Sequence, residues 1–354
     1  AVSIADWIDG TVDTTTSVCH GPSGMAFQGV GEVTCSLGEV RNRADMVVFW
    51  GSNPAESHPR HFTKYSLMPK GMFLPNGRKD RTAVIVDVRK TKSAKAADIF
   101  IQIKPRSDFE GLWTLRALAQ DIELDADQVL ADTGYPLDKW QDLMERMKRA
   151  RFGVIFFGMG LTMTRGKHAN SEALLALTRD MNRYTRFACK PNRGHGNVTG
   201  ADNVVAWRTG YPFGVNMSRG YPRFNPGEYT ASDVLARGEA DAAMIIASDP
   251  MGNFSQPARE HLKSIPYIAF DPKETPTTRH SAVAFTVATY GINVPGTVYR
   301  MDDVPIPLRP AFESPHPSDL ELLTNIEKRV RELKQQQTAG NKSGHKHRPS
   351  LRPA

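Results

Sequence analysis

Short apolar or nearly apolar runs recur along this chain, the clearest at 46–50, 82–86, 98–103, 152–157, 242–246, 267–270 and 283–287. Each is too short for a helix of ordinary length; the first four predict strands buried on both faces, and the last three predict further strands. Helical periods fill the gaps, at about 60–72, 109–121, 137–150, 171–184, 231–237, 256–263 and 318–336, with further short helical pieces within 22–42. In the third of these, Leu137, Trp140, Leu143, Met144 and Met147 share one face. Strands alternating with helices predict a parallel, doubly wound α/β architecture. Residues 11–19 read as an extended approach, 210–228 as a long Gly- and Pro-rich loop, and 297–301 with 304–306 as a hairpin around Asp302-Asp303.

Two stretches repeat each other. Ala44-Asp45 leads through an apolar strand to Ser52-Asn53-Pro54, and Ala240-Asp241 leads through another to Ser248-Asp249-Pro250 at the same spacing. Each is followed by a helical segment and a second strand that ends in Asp-x-[Arg/Lys]-x-Thr: Asp87 to Thr91, then Asp271 to Thr275. The repeat predicts two related α/β units. Ligands of open α/β sheets sit beyond the carboxyl ends of the strands, and Asn53, Asp87, Asp249 and Asp271 stand at those ends. They are candidates to accept from ribose hydroxyls or guanine N–H groups in two similar pockets; the plainer reading is that they cap the following helices. No GxGxxG follows the first strand and no GxxxxGK[ST] occurs anywhere, which argues against an ordinary NAD site or a P-loop.

Composition changes this picture little. The 354 residues, 40% apolar and 23% charged, suit roughly two globular domains, and no apolar run reaches the roughly 20 residues of a membrane span. The first ten residues do not resemble a signal peptide. Cys19, Cys35 and Cys189, without a CxxC, exclude a disulfide framework and suit a cytoplasmic setting. Much of the net charge of +7 lies in the final stretch from Gly340, read as a basic flexible tail, so nucleic-acid binding is not expected.

The best-placed reactive side chain is Cys19, in Thr16-Ser17-Val18-Cys19-His20-Gly21-Pro22-Ser23. Pro22 suits the first turn of a helix. A thiolate just ahead of a helix is stabilised by the positive end of its dipole. A small buried Cys in a turn is the alternative. The glycine-rich loop 191–200 brings Arg193 and His195 as further candidates. His58 and His61, separated by Pro59 and Arg60, predict structural hydrogen bonding to backbone rather than a metal pair.

Together the segments 17–23, 31–40, 42–45, 58–61, 156–160, 193–200 and 299–301 resemble the molybdopterin oxidoreductase superfamily, most closely the B-type subunits of formylmethanofuran dehydrogenase and of the related formyltransferase/hydrolase complex of methylotrophic bacteria. The resemblance implies two pseudo-symmetric Rossmann-like units: a first unit over 20–190, a second over 1–19 plus 191–330, and a helix end with tail over 331–354. In that family the Cys matching Cys19 ligates tungsten or molybdenum held by two pterin guanine dinucleotides, and the next His lies beside the metal.

Departures from the family pattern are also present. The 18 residues ahead of Cys19 lack the four-Cys segment that catalytic members use for an iron–sulfur cluster, and no C-terminal β-barrel domain is evident. Ser52 replaces the usual Cys of Gly-Cys-Asn-Pro, and Val88 the usual Pro of Asp-Pro-Arg. These departures imply a degenerate redox subunit, a scaffold with no cofactor, metal or catalytic residue of its own. Cys19, His20, Arg193 and His195 would then be vestigial, as would the pterin positions Asn53, Asp87, Asp249 and Asp271. Its complex would convert formyl-tetrahydromethanopterin to formate through a methanofuran-type carrier. The implied partners are amidohydrolase-like, formyltransferase and C-type subunits, in a dimer of heterotetramers, with contact to a polyglutamyl carrier. The alternative is an active tungsten or molybdenum bis-pterin dehydrogenase, with Cys19 as metal ligand, His20 and His195 handling protons and Arg193 orienting an anionic substrate.

Overall fold

Alternate residues of the buried strands serve two different cores. Met46, Val48 and Trp50 join Val84, Val86, Ile155 and Phe157 on one side of a sheet, while Val47, Phe49, Ala83, Ile85, Val154 and Phe156 face the other. That division explains why the runs are apolar throughout. The structure, a computed structural model, describes residues 1–344. Its contacts divide into two units, one of Thr15–Gly200 with Tyr299–Pro305, the other of Ala1–Thr14, Ala201–Val298 and the chain from Ile306.

The first unit opens with helices α1 (Gly21–Val30) and α2 (Leu37–Arg43). Strands β1 (Met46–Trp50), β2 (Thr82–Asp87) and β3 (Ile99–Gln102) follow, then helices α3 (Asp108–Leu118) and α4 (Leu137–Arg149). Strand β4 (Phe152–Phe157), helix α5 (His168–Met181) and strand β5 (Arg186–Pro191) complete it. The sheet order is β3-β2-β1-β4-β5, with every pair parallel. Helices α3, α4 and α5 cover one face, with Leu112, Trp140 and Leu174 in the core. Leu37 and Val40 of α2 cover the other face. The strand order reverses between β1 and β4, and the crevice at such a switch point is where ligands bind in open α/β sheets.

The second unit repeats the motif with β6 (Ala243–Ile246), helix α6 (Gln256–Ser264), β7 (Tyr267–Asp271) and β8 (Val283–Thr286) in a parallel three-stranded sheet. It also holds a small antiparallel sheet that pairs Thr11–Val12 with Val215–Asn216. Its last helix, α7, runs from Asp319 to Gly344, past the expected end at 336. The basic stretch beyond Gly344 lies outside the described residues. Among the described residues no helix is long and apolar enough to cross a membrane.

Some local expectations change. The approach to Cys19 is a strand only at Thr11–Val12 and then a 3-10 turn, Thr15–Val18, whose Thr16 carbonyl accepts from the Cys19 N–H at 3.0 Å. The stretch 60–72 forms only a five-residue π turn, Phe62–Ser66, before looping away; Pro69 disfavours helical backbone at Met68. A helix, Val198–Thr209, begins inside the segment expected to be wholly a loop.

Candidate functional site

The site is built on the carboxyl ends of β1, β4 and β5. Gly158 N–H donates to the Trp50 carbonyl at 3.1 Å and Gly160 N–H to the Gly51 carbonyl at 3.0 Å, lacing the two turns together. Gly51 has φ +53°, and a Cβ there would sit 2.5 Å from Leu161 N, so only glycine fits. Asn192, at the end of β5, donates its backbone N–H to Phe157 O at 2.8 Å and its amide to Ser52 Oγ at 2.8 Å. Three strand ends thus form one floor.

Cys19 and His20 are held against that floor. Cys19 is 7% exposed. Its carbonyl accepts from Thr162 Oγ at 3.1 Å, just beyond β4. It lies two residues ahead of the ten-residue α1, whose first turn carries Pro22 and no acid. His20 is fully buried, with its ring edge-on to Phe157 at 5.9 Å. Its Nε2 lies 3.1 Å from the Asn192 carbonyl and its Nδ1 3.2 Å from Ser23 Oγ. A carbonyl can only accept, so Nε2 carries the proton and Nδ1 accepts from the serine. Burial, and after it the positive charge of Arg193, lowers the His20 pKa to about 3, so the ring is neutral.

His58 repeats this arrangement one residue further along the loop. Its Nε2 donates to the Arg193 carbonyl at 2.8 Å, and its Nδ1 faces Ser57 Oγ at 2.8 Å. Two imidazoles, each backed by a serine, therefore hold the carbonyls of consecutive residues, Asn192 and Arg193. His61 turns away from this loop: Nδ1 pairs with Ser66 Oγ at 2.9 Å, and the ring packs edge-on against Phe156. The backbone hydrogen bonding expected of both histidines is found for His58; the His61 ring bonds the Ser66 side chain instead. Arg193 is half-buried, whereas His195 is exposed on the loop and is not brought to His20.

The strand-end residues make hydrogen bonds that staple neighbouring segments. Asn53 Oδ1 accepts from both the backbone N–H (3.2 Å) and the hydroxyl (2.7 Å) of Ser93, and Ser93 Oγ accepts from Ala55 N–H at 3.1 Å. Asp249 Oδ1 accepts from the N–H (3.1 Å) and hydroxyl (2.5 Å) of Thr277, and Thr277 Oγ accepts from Met251 N–H at 3.1 Å. The two residues share a backbone conformation, φ −119°, ψ 69° against φ −120°, ψ 70°. Asp87 and Asp271 each close a turn by accepting from the N–H two residues on, Arg89 at 3.4 Å and Lys273 at 3.1 Å. The duplication therefore extends to individual hydrogen bonds. Ser93 and Thr277 are not among the residues that sequence reasoning singles out, although a signal exists: both lie six residues after the strand-end Asp, lengthening the repeat to Asp-x-[Arg/Lys]-x-Thr-x-[Ser/Thr].

Glu32 is a third residue that sequence reasoning does not single out. Burial, opposed by the charges of Lys190 and Arg193, pushes its carboxyl up to about 7. Lys190, 2% exposed, lies on β5 two residues before Asn192. Among the described residues, no three His, Cys, Asp or Glu side chains gather as a metal site, so Cys19 would be a lone protein ligand.

No family model matches the chain. It is 48% identical over 334 residues to the B-type subunit of tungsten-containing formylmethanofuran dehydrogenase 2 from Methanocaldococcus jannaschii, covering 94% of this chain and 76% of that protein. It is 45% identical over 335 residues to the same subunit of the enzyme from Methanococcus maripaludis, again covering 94% and 76%. Its fold matches a chain in the crystal structure of the formyltransferase/hydrolase complex from Methylorubrum extorquens in complex with methylofuran. That match has a TM-score of 0.74 and 22% identity, over 94% of this chain and 87% of that one.

Proposed function

Because the chain belongs to the family of B-type formylmethanofuran dehydrogenase subunits, we propose that it is the member of a one-carbon enzyme complex that holds a tungsten or molybdenum pterin centre through Cys19. The observation that carries this reading is the joint delivery of Cys19 and His20 to the switch-point floor, in a chain 48% identical to a tungsten-containing relative. The residues fit such a group. A thiol precedes a helix without acids in its first turn. Asn192 Oδ1 is buried beside Ser52 with no hydrogen-bond partner among the described residues, as an acceptor awaiting a donor would be.

When bound, the metal–pterin group would supply two-electron exchange between formate-level carbon and carbon dioxide. The protein's own contribution is positioning. Cys19 offers its sulfur two residues ahead of α1, its backbone held by Thr162. Neutral His20 has both ring nitrogens engaged, so it fixes the Asn192 carbonyl rather than relaying a proton. His58 fixes the next carbonyl, and the pair sets the direction in which Arg193 leaves the backbone. A guanidinium there can hold a carboxylate in a bidentate manner. Partner subunits, a methanofuran-type carrier and a cytoplasmic location belong to this proposal.

The scaffold reading stays beside it because Ser52 stands where the family pattern has Cys and Val88 where it has Pro. Replacing Cys19 by Ala in the assembled complex separates the two. On the redox reading, oxidation of the formyl carrier falls at least a hundredfold while all subunits stay bound. Unchanged formate production by the variant complex would favour the scaffold.

A further inference from the structure

The segment from Leu67 to Leu74 combines a fixed backbone with exposed apolar side chains. Leu67 and Leu74 are fully buried, pinning both ends. Between them Gly71 and Leu74 exchange two backbone hydrogen bonds of 3.1 Å. Asn42 of α2 holds the tip twice, its Oδ1 accepting from Met72 N–H at 3.1 Å and its carbonyl from Phe73 N–H at 3.0 Å. Buried Arg81 donates to the carbonyls of Val40, Arg41, Ala44 and Pro69 at 3.2, 2.7, 2.5 and 3.1 Å, joining the loop to α2. A Cβ on Gly71 would lie 2.2 Å from Arg41 O, so the loop is pressed flat against the helix.

On this rigid base Met72 is 78% exposed, and Met68 and Phe73 are 45% exposed each. Beside them lies an open groove of about 620 Å³, whose charged lining residues are Arg41, Lys70 and Arg300 and which has no acidic residue in its wall. Asp302 binds both the Arg300 guanidinium and the Leu37 N–H, pairing that charge, so the positive excess of the rim rests on Arg41 and Lys70. An immobile backbone spares docking the cost of ordering a loop, and Met adapts to irregular partners. A cationic rim around an apolar centre favours a surface of opposite sign.

We propose that this face docks another protein subunit, through a segment that places carboxylates around an apolar side chain. The proposal rests on the reading that the chain works inside a multi-subunit complex. It is independent of whether Cys19 holds metal.

The test uses the full complex carrying Met72→Asp, Lys70→Glu or Arg41→Glu, with subunit stoichiometry read by native mass spectrometry across a salt series. Because Met72 is mostly exposed, thermal melting of the variants should match that of the parent. Dissociation of one subunit type should move to at least tenfold lower protein dilution, and the charge reversals should flatten its salt dependence. A photo-crosslinker at position 72 should link to an acidic segment of a different subunit. Unchanged dissociation in all three variants, or a crosslink only to a second copy of this chain, would overturn the proposal. Tungsten and molybdenum content of the same samples reports separately on Cys19, so loss of metal with docking intact would fault the function above and leave this face standing.

Discussion

Asn53 and Asp249 separate a structural role from a ligand-binding one. Replacing Asn53 by Ala removes the acceptor for two donors of fully buried Ser93, its N–H and its hydroxyl. A stranded buried donor costs about 1–3 kcal/mol, and the hydroxyl can rotate while the N–H cannot, so the expected loss is about 2–4 kcal/mol. Asp249→Ala strands the same pair on fully buried Thr277 and should cost about the same. Asp249→Asn keeps an oxygen in place and should cost less than about 1 kcal/mol. Asn53→Asp should not be mild, because the Asn53 amide donates to Glu56 and a carboxylate would repel it. Urea unfolding followed by hydrogen exchange in peptides of each unit is the assay, since two units need not unfold together. If both alanine variants keep their stability within about 0.5 kcal/mol, the staple does not hold the strand ends. The residues would then return to the ligand role that the sequence suggests.

Other outcomes follow from the same geometry. Gly51→Ala combines a left-handed backbone with a 2.5 Å clash against Leu161 N, and calorimetry should show a loss of several kcal/mol. The position matching Gly51 in the second unit is Ala247, at φ +49°; Ala247→Gly relieves that strain and should stabilise by about 0.5–1 kcal/mol. Burial first, then the charge of His58, lowers the His61 pKa from 6.5 to about 3. Between those values the unfolded chain binds the extra proton, so stability is complete above pH 6.5 and falls as pH drops, by at most about 5 kcal/mol. His61→Phe should reduce that acid limb in urea midpoints taken from pH 4 to 7, leaving the share that buried His20 contributes, and an unchanged slope would refute the assignment.

The strands are legible in the sequence because a parallel sheet covered on both faces leaves an uninterrupted apolar run, as in Met46–Trp50. The duplication is legible because Ser-Asn-Pro and Ser-Asp-Pro punctuate equivalent turns. Local pattern fails where tertiary contacts overrule propensity. The Thr/Val-rich approach to Cys19 favours strand, yet the chain turns at Thr15–Val18 and Thr16 is buried. The staples at the strand ends are not legible in the sequence because the partners of Asn53 and Asp249, Ser93 and Thr277, lie 40 and 28 residues away. The clamp of His20 and His58 on neighbouring carbonyls spans 172 and 135 residues and cannot be read from spacing.

The most direct measurement is elemental analysis for tungsten and molybdenum, with a pterin fluorescence assay, on the natively purified complex beside its Cys19→Ser variant. A metal-holding Cys19 gives stoichiometric tungsten or molybdenum with pterin in the parent and a large loss of metal in the variant. A parent free of both metals and of pterin, or a variant that keeps its metal in full, would contradict the assignment of Cys19 as the ligand.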